Sequence, residues 1–557
     1  MLHYTKIGLL LCVLCAAVCV HAQTHKTGRY RISFTDKNTS PYSIEQPQEF
    51  LSEQALARRT QFGIAVSEED LPVNQAYING VQSLGAQLCN TSKWFNSAIF
   101  LCDSLTDFET IAALPFVKQV EYVARPYQFE VHSATLVQDS AAFSRTFSPQ
   151  SDSVYGESLR QIQLMNAVQI HRDGFQGQGK TIAVIDGGFL HVDSSWAFRA
   201  AWAANRILAV RDFTGSGSDV FTLGSHGLMT FSTIGGYVPG MLLGTAPQAQ
   251  YVLLRSEESA TEYPVEEDNW IAAAEFADSM GVDILSTSLG YTTFDDSTMN
   301  HSIAQLYKNE IRITQGANIA AQKGMLVVNS AGNSGDDPWH YISAPADAEL
   351  GVTVGAVYPS GEITSFSSRG MADAPFVKPE IVAMGAFATV VTAEGLVKSN
   401  AFGTSFSCPI AAGIAACLWG EFPSLSAQEL KEILNQSGNR SDELTTAYGY
   451  GIPDIELART IVRYYLIAKL FSAVGIETVP GAIQIILNSD SETKIQFLTL
   501  EGAPVWSTTF VFGNIEGIVA LDGISQIPAG DYVVQTTVGQ ETVIQKVRVS
   551  RTENINE

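Results

Sequence analysis

Residues 180–188 read KTIAVIDGG: four apolar residues, Ile182 to Ile185, run without a polar break into Asp186 and two glycines. A strand with one wet face alternates apolar and polar residues, so an unbroken apolar run predicts a strand covered on both faces. The same rhythm returns in YVLLRS (251–256), VDILSTSLG (282–290), GMLVVNSAGN (324–333) and GVTVGAV (351–357). Between these runs lie two stretches that read as helices, EEDNWIAAAEFADSMG (266–281) and HSIAQLYKNEIRITQGANIAAQKG (301–324). The block 155–465 is therefore predicted to be α/β, a parallel sheet with helices on both faces, and its chemistry is expected at the carboxyl ends of the strands.

The flanking blocks have other rhythms. From 29 to 130, RYRISFTD, PQEFLSEQALARRTQFG, AQLCNTSKWFNSAIFLC, LTDFETIAAL and VKQVEYV alternate short strands and helices, which predicts a small α+β module around a hairpin. The polar stretch HSATLVQDSAAFSRTFSPQSDSVYGES (132–158) reads as an exposed linker of the kind that proteases cut. After about 470, GAIQIILN, TKIQFLTLEG, PVWSTTFVFG and GDYVVQTTVGQETVIQKVRV are β segments punctuated by Gly and Pro, which predicts a small β-sandwich. The expected divisions are a leader over 1–22, the module over 23–130, a linker with a processing site over 131–154, the α/β domain over 155–465 and the β-sandwich over 466–557.

Composition narrows the function classes. A chain of 557 residues that is 46% hydrophobic has material for several real cores. With 33 Lys+Arg against 57 Asp+Glu the net charge is −24, which repels phosphate backbones and excludes a nucleic-acid partner as the expectation. At the N-terminus, Lys6 precedes IGLLLCVLCAAVCV, and Val20 and Ala22 supply small residues for signal-peptide cleavage. That run is too short for a comfortable membrane span, and Val18 before Cys19 fits a lipoprotein site poorly. Of the seven cysteines, Cys12, Cys15 and Cys19 leave with the leader. Cys89 and Cys102 flank the hairpin and could pair in an oxidising compartment, whereas Cys408 and Cys417 lie too far apart on one helix to bridge. No metal-ligand spacing is present.

Four residues in the α/β block could do chemistry. Asp186 ends an apolar strand, where an unpaired carboxylate is expensive, so it serves either a site or a turn. His226, in GSHGLMTFSTIGG (224–236), enters an apolar helix between glycines that permit close backbone approach. Asn333, in a Gly-rich turn past a strand, could donate to an oxyanion or hold a left-handed turn. Ser405 opens GTSFSCPIAAGIAAC (403–417), a helix apolar all round and hence buried, with Pro409 expected in its first turn. Unpaired N–H groups and the helix dipole there favour negative charge on the serine oxygen, and a simple capping role is the alternative.

Taken together, VIDGG, SHG, NSAGNSG and GTSFSCP resemble the aspartate, histidine, oxyanion-asparagine and serine motifs of the subtilisin-like serine proteases, in that family's chain order. GTAPQAQ, STSLG, KPEIVAMG and YGYGIPD agree, so the resemblance spans about 155–460. It departs at Gly187, where the family has Thr or Ser, at Leu228 for Thr, at Phe406 and Ser407 for Met-Ala, and at Met384 for Pro, none of which removes a catalytic atom. The resemblance implies a secreted serine endopeptidase: Ser405 attacks a peptide carbonyl, His226 takes its proton and Asp186 orients the imidazole. Asn333 then binds the oxyanion, and Ser288, Leu289 and Gly290 pair with the substrate as an added strand. His191 reads as structural. No cofactor is required for this chemistry, and the structural calcium found in the family is not assigned to particular carboxylates.

The flanks extend the resemblance. The 29–130 module resembles the inhibitory pro-domain of secreted Bacteroidetes enzymes of this family, which implies a zymogen, with the chain's own pro-domain and protein or peptide substrates as partners. The last block resembles the sorting domain read by the type IX secretion system, with a plain accessory β-sandwich as the alternative. A monomer, secreted or at the cell surface, is expected. A lipase-type esterase would show G-x-S-x-G and the order Ser, Asp, His, which this chain lacks. A relative with glutamate in place of the histidine is excluded by His226, and a catalytically silent binding protein would not need all four residues.

Overall fold

The computed structural model describes residues 26–103, 105–127 and 152–473, together with strand segments at 476–478, 492–499, 503–511, 528, 530–538 and 541–549. The leader and most of the linker lie outside the described residues. Seven strands form the central sheet in the order Ile381–Met384, Val352–Val357, Leu326–Ser330, Ile284–Thr287, Thr181–Asp186, Gln250–Arg255, Ile207–Asp212. Every neighbouring pair is parallel. The unbroken apolar runs serve both faces: Ile182 and Val184 join the core that contains the buried helix Thr404–Glu421, while Ala183 and Ile185 join the core beneath the helix Val265–Met280. From Thr181–Asp186 the chain first builds one flank of the sheet and then returns to place Ile284–Thr287 on the other side. The crevice opened by such a reversal is where sites form in open α/β sheets, and both Asp186 and Ser288 sit at its rim.

The N-terminal module is a four-stranded antiparallel sheet in the order Gln87–Ser92, Ser97–Cys102, Gly28–Phe34, Val117–Ala124, packed with the helices Glu53–Phe62, Gln75–Gln82 and Phe108–Ala113. Ser52, Asn74 and Asp107 accept backbone N–H groups at the starts of these three helices, as capping residues do. The module docks on Val265–Met280 through paired charges. Arg31 and Arg312 share Asp268 at 2.7 Å each, and Asp278 takes Arg58 at 2.7 Å, Arg59 at 2.9 Å and Lys93 at 3.2 Å. Glu275 accepts from the Ser92 hydroxyl at 2.6 Å and from the Lys93 and Trp94 N–H groups at 2.7 and 3.0 Å.

Several expectations change. In 301–324 the helix covers only Arg312–Gln322, because the preceding residues turn through Ile303–Gln305 and the left-handed Tyr307 and Asn309. Cys89 and Cys102 are free thiols, with Cys89 at a register shift that takes it out of direct pairing. The helix Ile455–Ala473 runs across the expected division at 465. The described C-terminal strands form one five-stranded antiparallel sheet, and the second sheet of a sandwich is not among the described residues. No helix among the described residues is long and apolar enough to cross a membrane.

Candidate active site

Asp186 is 1% exposed at the end of its strand, and its carboxylate is fully engaged. Oδ1 accepts from the Gly187 N–H at 2.8 Å, Oδ2 accepts from the Thr230 hydroxyl at 3.1 Å, and the His226 Nδ1 lies 2.9 and 3.0 Å from the two oxygens. A buried carboxylate facing a ring nitrogen at that distance fixes the tautomer with the proton on Nδ1, which leaves the Nε2 lone pair free as a base. His226 is the second residue of the helix Ser225–Gly235. That helix reaches the strand because Gly227 has no side chain: a Cβ there would fall 2.1 Å from the Gly188 carbonyl oxygen and 3.0 Å from the Asp186 Cβ. Thr230, one turn past His226, was not singled out from the sequence, although the i, i+4 spacing would have found it. Burial works against protonation of His226, but the charge and hydrogen bond of Asp186 outweigh it, Glu257 adds to them, and the pKa rises.

Ser405 is the second residue of the helix Thr404–Glu421, 8% exposed, with no acceptor for its own N–H among the described residues. The helix starts one residue earlier than Ser405, so Pro409 lies in the second turn rather than the first. A proline at that point withholds the N–H that would bond the carbonyl four residues back, which is that of Ser405. The Ser288 hydroxyl supplies the missing donor, reaching the Ser405 carbonyl oxygen at 2.8 Å. One crossing bond thus ties the strand that ends at Thr287 to the serine turn. Cys408 adds two more ties, its thiol lying 3.3 Å from the carbonyl oxygens of both Thr287 and Val328. Leu289 and Gly290 make no backbone hydrogen bond among the described residues, and Gly290 is exposed, which leaves an open edge.

Asn333 is exposed and oriented by a residue that the sequence reading passed over. Its Oδ1 accepts from the Thr404 N–H at 2.9 Å and from the Thr404 hydroxyl at 3.1 Å, and that hydroxyl in turn accepts from the Gly332 N–H at 3.2 Å. With Oδ1 so occupied, the Nδ2 donors are left for another acceptor. His191 sits in a left-handed turn whose carbonyl accepts from Ser195, a structural position. Beside the cleft, Glu257, Glu262 and Glu266 bring carboxylate oxygens within 4.8 Å of one another. Burial, together with carboxylate repulsion, pushes all three pKa values up.

A family model described as the subtilase family matches residues 177–451, a span that contains Asp186, His226, Ser288 to Gly290, Asn333 and Ser405. The chain belongs to the subtilase family. A second model, the peptidase S8 propeptide domain of Bacteroidota, matches 29–139, so the module is a propeptide domain and the match reaches past residue 130. The subtilase is similar to the serine protease AprX of Bacillus subtilis (strain 168), 28% identical over 323 residues that cover 52% of this chain and 69% of that protein. It is similar to subtilisin DY of Bacillus licheniformis, 25% identical over 307 residues that cover 53% of this chain and 97% of that protein. Its fold matches the epidermin leader peptide processing serine protease EpiP of Staphylococcus aureus with a TM-score of 0.52 at 16% identity, over 79% of this chain and 99% of that one. The subtilase is accordingly a serine endopeptidase carrying its own propeptide.

Proposed function

We propose that this subtilase cleaves peptide bonds through an acyl-enzyme on Ser405, with His226 as general base, Asp186 as its orienting carboxylate and Asn333 as oxyanion donor. The observation that carries the reading is the pairing of His226 Nδ1 with the buried Asp186 at 2.9 Å, which leaves Nε2 as the acceptor. The Ser405 proton passes to Nε2 as Oγ attacks the carbonyl carbon, and the same proton then goes to the departing amine. Negative charge developing on the carbonyl oxygen meets the Ser405 N–H, at the N-terminus of its helix where the dipole also favours it, and the amide of Asn333, which Thr404 holds from the turn after Leu326–Ser330. The free backbone of Leu289 and Gly290, with Ser288 behind them, would pair with the acyl half of the substrate as an added strand. None of these steps needs a metal. A structural calcium would act on stability, and Glu257, Glu262 and Glu266 are the described carboxylates placed to share one.

The module acts as an intramolecular inhibitor, released by cleavage between about 130 and 158, and the mature enzyme is secreted as a monomer. Docking on the helix next to the cleft supports this part of the reading. The last block is read as a sorting domain for type IX secretion. The test is the intact mass of the full chain, without its leader, beside Ser405→Ala. Trimming of wild type alone, together with labelling of Ser405 by a fluorophosphonate, is the expected result. Label on another residue, or peptidase activity retained by Ser405→Ala, would overturn the mechanism.

A further inference from the structure

The antiparallel hairpin of Ala386–Val391 and Val397–Phe402, in which Ala386 faces Phe402, delivers the chain to Gly403 and Ser405. It carries two phenylalanines at the surface, Phe387 at 46% and Phe402 at 50% exposure. Their rings meet edge to face, with centroids 4.7 Å apart at 65°, and the Tyr358 ring lies 6.5 Å from Phe387. Phe387 also has φ +58°, the left-handed region in which a bulky side chain is strained. An exposed apolar ring on strained backbone opposes folding twice over, and glycine or asparagine would serve such a turn better. Strain of that kind persists where the ring itself has a use.

Its position indicates the use. Tyr358 follows the strand Val352–Val357, so the aromatic group stands on the same carboxyl edge of the sheet as Asn333. The Gly403 N–H donates to the Gly385 carbonyl at 2.8 Å, which fixes the hairpin to the serine turn. The Val391 N–H donates to the Ser232 hydroxyl at 2.9 Å, which fixes it to the His226 helix. In acyl transfer the imidazole returns its proton to the departing amine, so the leaving half of the substrate runs on the histidine side, away from Ser288 to Gly290.

We infer that Phe387 and Phe402 form an aromatic shelf that selects substrates with an aromatic or large aliphatic side chain within the first three residues on the leaving-group side of the scissile bond. This rests on the proposed proteolytic mechanism. Three extended residues span about 10 Å, enough to carry a side chain from Ser405 onto the hairpin. Flat rings with exposed faces and edges favour another aromatic over a polar side chain.

The test divides kcat/KM for internally quenched peptides, with Phe or Gly placed in turn at each of those three positions, by kcat/KM for a peptide nitroanilide that has no residue beyond the scissile bond. The processed full chain should prefer Phe at one position, and Phe402→Ser should lower the ratio for that peptide about tenfold. Phe387→Gly removes the second ring and relieves its strain, so the ratio should fall while Tm does not. A wild type indifferent to Phe at all three positions, or variants that keep its preference, would overturn the shelf alone. Absence of hydrolysis of every substrate, nitroanilide included, would overturn the proteolytic reading and the shelf with it.

Discussion

Around Ser405 the contacts are apolar and small, whereas at the seam between the propeptide module and the helix Val265–Met280 they are charges. The serine helix is buried from Thr404 to Trp419, and its polar ties are short crossing bonds such as Ser288 to Ser405 and Thr404 to Asn333. The seam relies on Asp268, Glu275 and Asp278, each buried and each satisfied by groups from the module. Apolar packing loses little to salt or acid and holds a site rigid. A buried ion pair holds only while both partners are present, because the desolvation of each is offset by the other. One region is thus built to stay assembled, and the other to fold together and later part.

Changes in the first region should remove turnover without loosening the module. Ser405→Ala should lower kcat about 10⁶-fold, the scale associated with removing a serine nucleophile, with Tm unchanged within a degree or two. Asp186→Asn should cost about 10⁴-fold by leaving the imidazole in the wrong tautomer. The acid limb of kcat/KM in the parent enzyme should lie above the ordinary histidine value, because the raised pKa of His226 means that its base form is lost at a higher pH as acid is added. Asp186→Asn should move that limb down.

The seam should respond in the opposite way. In the Ser405→Ala background, which keeps the module attached, Asp278→Asn leaves Arg58 and Lys93 without their buried anion and Arg59 with Asp70 alone, and should weaken docking by about 3–5 kcal/mol, read as a lower Tm. The processed Asp278→Asn enzyme should turn over normally, and a large loss there would mean that the seam also supports the site. Back at the site, Asn333→Ala should slow turnover about 10²- to 10³-fold with KM little changed. The smallest effect concerns acid. Burial alone would raise the Asp268 pKa, but the Arg31 and Arg312 charges carry it below the ordinary aspartate value. Its contribution to docking is therefore present above that value and lost as pH falls through the lowered one. Tm of the Ser405→Ala chain should drop there, and Asp268→Asn should flatten the drop.

The class of sheet was legible in the residues alone, since runs such as Ile182 to Ile185 have no polar residue to turn toward water. Residue pattern also showed which residue types stand at the strand ends, and the alternation of short strands and helices in the module followed from patterns a few residues long. It overextended the helix before Arg312, where composition suits a helix but the chain turns. The partners, by contrast, came only with packing. Thr404 orients Asn333 across 71 residues, and Ser288 completes the Ser405 carbonyl across 117. Pro409 creates the vacancy that Ser288 fills, and neither residue announces the other. Asp278 meets Arg59 across 219 residues, in a seam that no local pattern marks. The physical reason is range: hydrophobic periodicity is set by neighbours within a turn or a pleat. A hydrogen bond or ion pair between distant segments depends on strand order and docking, which emerge only when the whole chain has packed.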